Sequence, residues 1–347
     1  MSFKPNPKLG LACAIGAQTI WGFFPIYINQ FKGVIEPLEI VGHRAIWSFA
    51  LLLGLFAIVR LRSPKPLPEA TRLSTSNSNS QRSTPKNDAN LYASPASTTE
   101  ELLPAITREI DSDSKTKRSR LIGMGLIAAV LIAVNWLTYV WAVNNGRILD
   151  ASLGYYICPQ VIVLIGVFVL GERLGKVQWL AVAFASIGVL VMTQSAASTP
   201  WVGICLAVVW GLYGLVKKKT SLSATNGLML ETGILLVPAL AMLTWQATHG
   251  QPIFRDSLWV NSLLVLSGAA TVTPLALYAI ALKHLRFSTI GLLQFLGPTI
   301  QFLLGAFESG EPLDQNRIVG FVFVWLGVVM FLVSLYLTRS EKAKTKG

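Results

Sequence analysis

Residues 135–179 read N-W-L-T-Y-V-W-A-V-N-N-G-R-I-L-D-A-S-L-G-Y-Y-I-C-P-Q-V-I-V-L-I-G-V-F-V-L-G-E-R-L-G-K-V-Q-W. Two long apolar runs meet at a short polar elbow, Asn144 to Asp150, and the second run carries Pro159 at its middle. Nothing between Ala151 and Leu170 is charged. At about 1.5 Å per helical residue that run spans about 30 Å, the thickness of a bilayer hydrocarbon core. The stretch predicts a membrane hairpin, not the core of a soluble domain.

Further along, the same pattern returns. Residues 159–172, P-Q-V-I-V-L-I-G-V-F-V-L-G-E, align at constant offset with residues 298–311, P-T-I-Q-F-L-L-G-A-F-E-S-G-E. The matched pairs are Pro159/Pro298, Leu164/Leu303, Gly166/Gly305, Phe168/Phe307, Gly171/Gly310 and Glu172/Glu311. The register runs on to Gly188/Gly327. At the same offset it also extends back through Tyr139/Tyr278, Ala142/Ala281 and Arg147/Arg286. Trp21-Gly22 and Trp210-Gly211 open the two halves alike. An internal duplication is the strongest organisational signal in the chain.

Composition agrees with a membrane protein. Of 347 residues, 52% are hydrophobic and only 13% charged, against about a quarter charged in soluble domains. The mean hydropathy is +0.55. A net charge of +12 raises nucleic acid as a partner, but the basic residues lie between apolar runs rather than on one face. That placement makes them determinants of topology and argues against a polyanion site. Cys13, Cys158 and Cys205 sit inside apolar runs without metal or disulfide spacing, and read as small core residues.

Ten apolar segments emerge, at 8–28, 38–59, 121–143, 151–170, 177–195, 200–216, 227–246, 258–282, 288–307 and 317–337. The first has Trp21 and Pro25 inside it and no small-residue cleavage site, so it reads as a spanning helix and not a removed leader. The predicted organisation places two helices in 1–59, a cytoplasmic loop in 60–120 and three helices in 121–195. Five more follow in 200–338, then a basic tail in 339–347. The 60–120 stretch is rich in Ser, Thr, Asn and Pro, and predicts disorder with at most a short helix near Thr99–Ile110.

Orientation follows from Lys and Arg. With the N-terminus in the cytoplasm, the cytoplasmic pieces hold Lys4, Lys8, the Arg60–Arg120 cluster, Arg173, Lys176, Lys217, Lys218, Lys219, Lys283, Arg286 and the tail. The other side holds only Lys32, Arg147, Arg255 and Arg317. Both termini are thereby predicted to be cytoplasmic. Five helices per half is an odd number, so the second copy enters from the opposite side. Its loop at 310–315, G-E-P-L-D-Q, has lost both cations of G-E-R-L-G-K at 171–176. This predicts an all-α integral membrane fold of two inverted-topology five-helix repeats, an architecture common among secondary transporters. Two tandem bundles with coincidental similarity stay as the alternative.

No soluble catalytic motif is present: neither G-x-S-x-G, nor H-E-x-x-H, nor a phosphate-cradling loop. Polar groups at membrane depth carry the information instead. His43 and Arg44 lie about two turns inside the second segment, and an arginine there costs about 2.5–3.5 kcal/mol on insertion scales. It either anchors an anion or substrate in a wet cavity or snorkels outward with Glu39 nearby. Glu231 lies about one turn inside the seventh segment and, with His43, is the candidate coupling group; capping near the interface is the bland reading. Pro159 and Pro298 crowd the carbonyls of Tyr155 and Gln294, and are expected to kink their helices toward a central cavity. Gln294, Pro298 and Gln301 share one helical face, as do Asn135 and Tyr139. Trp136, with Trp21, Trp141 and Tyr156, offers an aromatic lining. The substrate-binding candidates are Arg44, Asn135, Trp136, Tyr139, Tyr155, Gln294 and Gln301. No metal or cofactor site is expected.

The segments H-R-A-I-W-S-F, N-W-L-T-Y-V-W-A-V-N, A-S-L-G-Y-Y-I-C-P-Q, L-G-E-R-L, Y-G-L-V-K-K-K, G-L-M-L-E-T and F-S-T-I-G-L-L-Q-F-L-G-P-T together resemble the RarD branch of the EamA-type transporters, within the drug/metabolite transporter superfamily. The resemblance covers nearly the whole chain outside 60–120. It implies ten helices in two inverted repeats, a cell inner membrane location and small-molecule transport. Cys158 and Gln160 around Pro159, and the length of the 60–120 stretch, depart from the family pattern. The expected function is secondary transport of a small organic solute by alternating access, with solute and lipid as partners and homo-oligomerisation left open. The alternatives are an integral-membrane enzyme acting on a lipid or isoprenoid, and a receptor or scaffold acting through residues 60–120.

Overall fold

The computed structural model describes residues 5–62, 99–145, 148–194, 201–308 and 315–344, and all regular structure there is helical. The helices are α1 (Pro7–Asn29), α2 (Pro37–Arg62), α3 (Thr99–Asn144), α4 (Ile148–Phe168), α5 (Lys176–Thr193), α6 (Trp201–Lys219), α7 (Ala224–Thr248), α8 (Leu258–His284), α9 (Phe287–Leu293), α10 (Leu296–Glu308) and α11 (Gln315–Lys344). Eight stretches are long and apolar enough to cross a membrane, and α9 with α10 forms one of them, Phe287–Leu304. Shorter apolar stretches in α4 and α11, Gly154–Phe168 and Ile318–Ser334, complete ten spans. These coincide with the ten predicted segments.

The two prolines do not act alike. Pro298 follows a turn at Gln294–Phe295 that separates α9 from α10, whereas Pro159 lies within an unbroken α4. Gly297 directly before Pro298 gives the reason, because a Gly-Pro pair removes both helix propensity and a backbone donor at one turn.

A second difference concerns 60–120. Helix α2 runs on to Arg62, and α3 starts at Thr99 and continues for 46 residues. Leu102, Leu103, Ile106 and Ile110 follow helical spacing among Glu, Arg and Ala, and a helix extending from a membrane span needs no new nucleus. The rest of the predicted loop, residues 63–98, lies outside the described residues, as do Arg147, the 310–314 part of the second loop and the end of the tail. The chain divides into two compact units, Leu53–Arg120 and the remainder (Met1–Leu52 with Leu121–Gly347). Everything below concerns the latter.

Within it, α5 and α11 share the most extensive contact. Small residues allow the approach. A methyl group added at Gly188 would lie 2.4 Å from the Gly320 carbonyl oxygen, and one at Gly327 would lie 2.4 Å from that of Ala181. Backbones this close are characteristic of membrane helix pairs, which associate through packing and not through a hydrophobic driving force. Helix α4 packs on α6, with Gly154 against the Gly203 backbone, while α1 packs on α8 and α10. The outward faces carry apolar side chains such as Leu190, Val237 and Trp259.

At the end where α1 begins, polar groups tie the helices together. Gly171 has φ +66°, a conformation favouring glycine, and the turn presents Glu172 to the start of α9. Its carboxylate accepts from the Phe287 amide (2.6 Å), the Ser288 amide (2.9 Å) and the Ser288 hydroxyl (2.6 Å). These are otherwise orphaned donors at a helix N-terminus, where negative charge is also favoured. Glu172→Ala is expected to cost about 1–3 kcal/mol, read as a lower thermal midpoint of the purified protein. An unchanged midpoint would remove this clasp from the account.

Candidate functional site

Arg44 lies seven residues into α2, about 10 Å from its start. Its guanidinium carbon sits 4.6 Å from the ring centre of Trp136 on α3 and 5.1 Å from that of Phe24 on α1. Its Nε donates to the Thr271 hydroxyl on α8 at 2.9 Å. Tyr27, Tyr139 and Tyr155 lie within electrostatic range. Among the described residues no carboxylate is within ion-pairing distance of Arg44. Neighbouring Glu39 pairs instead with Arg255 at 2.9 Å, so outward snorkelling toward Glu39 is not what the structure shows.

Tyr139 and Tyr155 face each other, with ring centres 6.4 Å apart. Tyr155 is 43% exposed, with its ring beside that of Tyr139 and within electrostatic range of Arg44. Asn135, one turn before Tyr139 on α3, donates to the Leu206 carbonyl at 3.3 Å and holds α3 to α6. Five predicted residues thus fall in one region: Arg44, Trp136, Tyr139 and Tyr155 line it, and Asn135 braces it.

The glutamines fall elsewhere. Gln294 is buried at the break between α9 and α10, donating to the Tyr278 hydroxyl (3.1 Å) and accepting from Cys158 Sγ (3.3 Å). Tyr278 in turn stacks on Trp210 at 5.3 Å, and Trp21 meets both rings edge-on. The Pro298 carbonyl accepts from Tyr156, and a methyl group added at Gly291 would lie 2.8 Å from the Pro159 carbonyl oxygen. The two proline regions do meet, in an aromatic plug around the buried Tyr278 and Gln294. Gln301 donates to the Trp21 carbonyl at 3.0 Å, joining α10 to α1.

Glu231 and His43, the coupling candidates, both have internal partners. Glu231 is 3% exposed and accepts from Lys217 (2.7 Å) and from the Tyr213 hydroxyl (3.0 Å). Lys217, counted above among the loop cations, is therefore a buried partner. Lys218 next to it donates to the Leu282 and Leu285 carbonyls, and Lys283 to that of Thr220, where they satisfy helix ends. His43 accepts at Nδ1 from Trp47 (3.3 Å), which leaves Nε2 to donate to the Ile253 carbonyl (3.2 Å). Both ring nitrogens of a neutral imidazole are used, so the histidine braces α2 against the chain ahead of α8.

Sequence reasoning missed Thr271, Tyr278, Tyr213 and Lys217. Two signals pointed to them: Tyr213 and Lys217 share a helical face at i, i+4, and Tyr278 aligns with Tyr139 at the constant sequence offset.

Comparison with known proteins places this arrangement. Residues 101–194 and 198–333 each match the EamA-like transporter family. An uncharacterized transporter of Vibrio cholerae is 35% identical over 331 residues, 95% of this chain and 94% of its own. Protein RarD of Escherichia coli is 32% identical over 338 residues, 97% of this chain and 98% of its own. Transporter YojE of Bacillus subtilis is 34% identical over 327 residues, 94% of each chain. A solved crystal structure covers 94% of this chain and 98% of its own with a TM-score of 0.60 at 14% identity, which shows a shared fold alone. The chain belongs to the EamA-like transporter family, and with its ten spans is a multi-pass membrane transporter.

Proposed function

We propose that the protein moves a small organic solute by alternating access, its two halves being inverted repeats that rock around the region beside Arg44, and that both termini are cytoplasmic. The observation that carries this is the contrast between two repeat-related tyrosines. Tyr139 is partly accessible beside Arg44, whereas Tyr278 is 1% exposed within the Trp21–Trp210 plug. In an inverted repeat, exchanging the two environments converts a pathway open on one side into one open on the other. The contacts support the symmetry: Gly22 packs on Ile300 and Gly211 on Val161, Ile300 and Val161 being repeat equivalents. Trp21 and Trp210 meet each other at 5.3 Å.

The test uses native Cys158, buried against Gln294, in a protein with Cys13 and Cys205 replaced by Ala. Cys158 should react with a maleimide from the cytoplasmic side only, and Tyr139→Cys from the other side only. A transported solute should raise one rate as it lowers the other. Simultaneous reaction of both, each indifferent to every solute that the protein carries, would end the proposal. Removing residues 66–95 is expected to leave solute flux in proteoliposomes unchanged, because the solute path runs through the other spans. A receptor acting through that stretch would lose function instead.

A further inference from the structure

The surroundings of Arg44 specify which part of its guanidinium is free. Two rings hold it, Trp136 with its centre 4.6 Å from the guanidinium carbon and Phe24 with its centre 5.1 Å away. The Nε is taken by Thr271. The two terminal nitrogens make no hydrogen bond among the described residues. A guanidinium held this way presents its Nη1–Nη2 edge as a planar two-pronged donor, which matches the two oxygens of a carboxylate. Unlike a lysine ammonium, it is fixed before the ligand arrives, so less freedom is lost on binding.

The neighbours narrow the ligand further. The wall supplies Trp136, Phe24, Tyr27, Tyr139 and Tyr155, which suit a flat apolar body. Among the described residues it supplies no acidic side chain for an ammonium group, since Glu39 pairs with Arg255 and Glu231 with Lys217. Among the described residues it also supplies no second cation within the cluster, which disfavours a dianion. On the transport reading above, we infer that the solute is an organic monocarboxylate with an aromatic or flat hydrophobic body, lacking a free amine, bound end-on by Arg44 and stacked among the aromatics.

Binding separates this inference from the transport reading. The purified full-length protein is titrated by calorimetry with one-ring and two-ring aryl acetates, the matching amides, the matching amines and phenylalanine. An acid should bind at least about tenfold more tightly than its amide, amine or amino-acid counterpart, the usual worth of a charge-assisted bond. Arg44→Gln should abolish that preference and Arg44→Lys restore only part of it. Thr271→Val, which leaves the charge in place, should weaken acid binding severalfold with the thermal midpoint preserved, and so covers the case of a poorly folding Arg44 variant. Equal binding of acid and amide, preference for the amine or amino acid, or no acid binding at all overturns the inference. Any of these results combined with proteoliposome flux of another solute leaves the transport reading standing; no flux of any solute overturns both.

Discussion

Lys217→Met is expected to destabilise the protein by about 3–5 kcal/mol, because it strands Glu231 as an unpaired charge in a site only 3% exposed. Glu231→Gln should cost a similar amount by stranding Lys217. The double variant Lys217→Met/Glu231→Gln should recover most of the loss, since the remaining amide can still accept from Tyr213. Thermal unfolding of the four proteins measures this directly, and losses that simply add in the double variant would show that the pair is not coupled. The double variant also answers a functional question that a single change at Glu231 cannot. With the stability effect removed, persistence of any pH-gradient dependence of transport excludes Glu231 as the proton carrier.

Gly188→Leu is expected to be at least as damaging. The first added carbon already falls 2.4 Å from the Gly320 carbonyl oxygen and 2.8 Å from the Val324 amide nitrogen, and both are backbone atoms that cannot rotate away. Accommodating it requires α5 and α11 to separate along the most extensive helix contact in the molecule. The cost should exceed the roughly 1–3 kcal/mol of ordinary overpacking, seen as loss of monodisperse protein on extraction into mild detergent. Gly123, with open space around it, is the control, and Gly123→Leu should extract normally. Equal behaviour of the two variants would refute the tight crossing.

The spans were legible because lipid enforces long apolar runs, and charge at membrane depth is rare enough to be noticed. That made Arg44 a candidate from its position alone, and Trp136, Tyr139 and Tyr155 joined it through the elbow that returns α3 to α4. What the sequence could not convey was pairing between helices. Lys217 stands in a Lys-Lys-Lys run at a helix end, and nothing local distinguishes the member that turns inward to Glu231 from the two beside it. Gln294 was legible as a polar group at membrane depth, but nothing local in the sequence shows that its amide turns to Tyr278. The break after α9 was visible as a proline. Its severity came from Gly297, whose weight only the comparison with the intact Pro159 helix reveals.

The Glu172 clasp and that break have a joint mechanical consequence. Three hydrogen bonds fasten α9 to the turn that follows α4, so the base of this span moves only with its neighbour. The upper segment, α10, is separated from that base by the break and is tied instead to α1, through Gln301 and the Trp21 carbonyl. Motion along the ninth span should therefore resemble a door swinging on a fixed jamb more than a whole rod tilting.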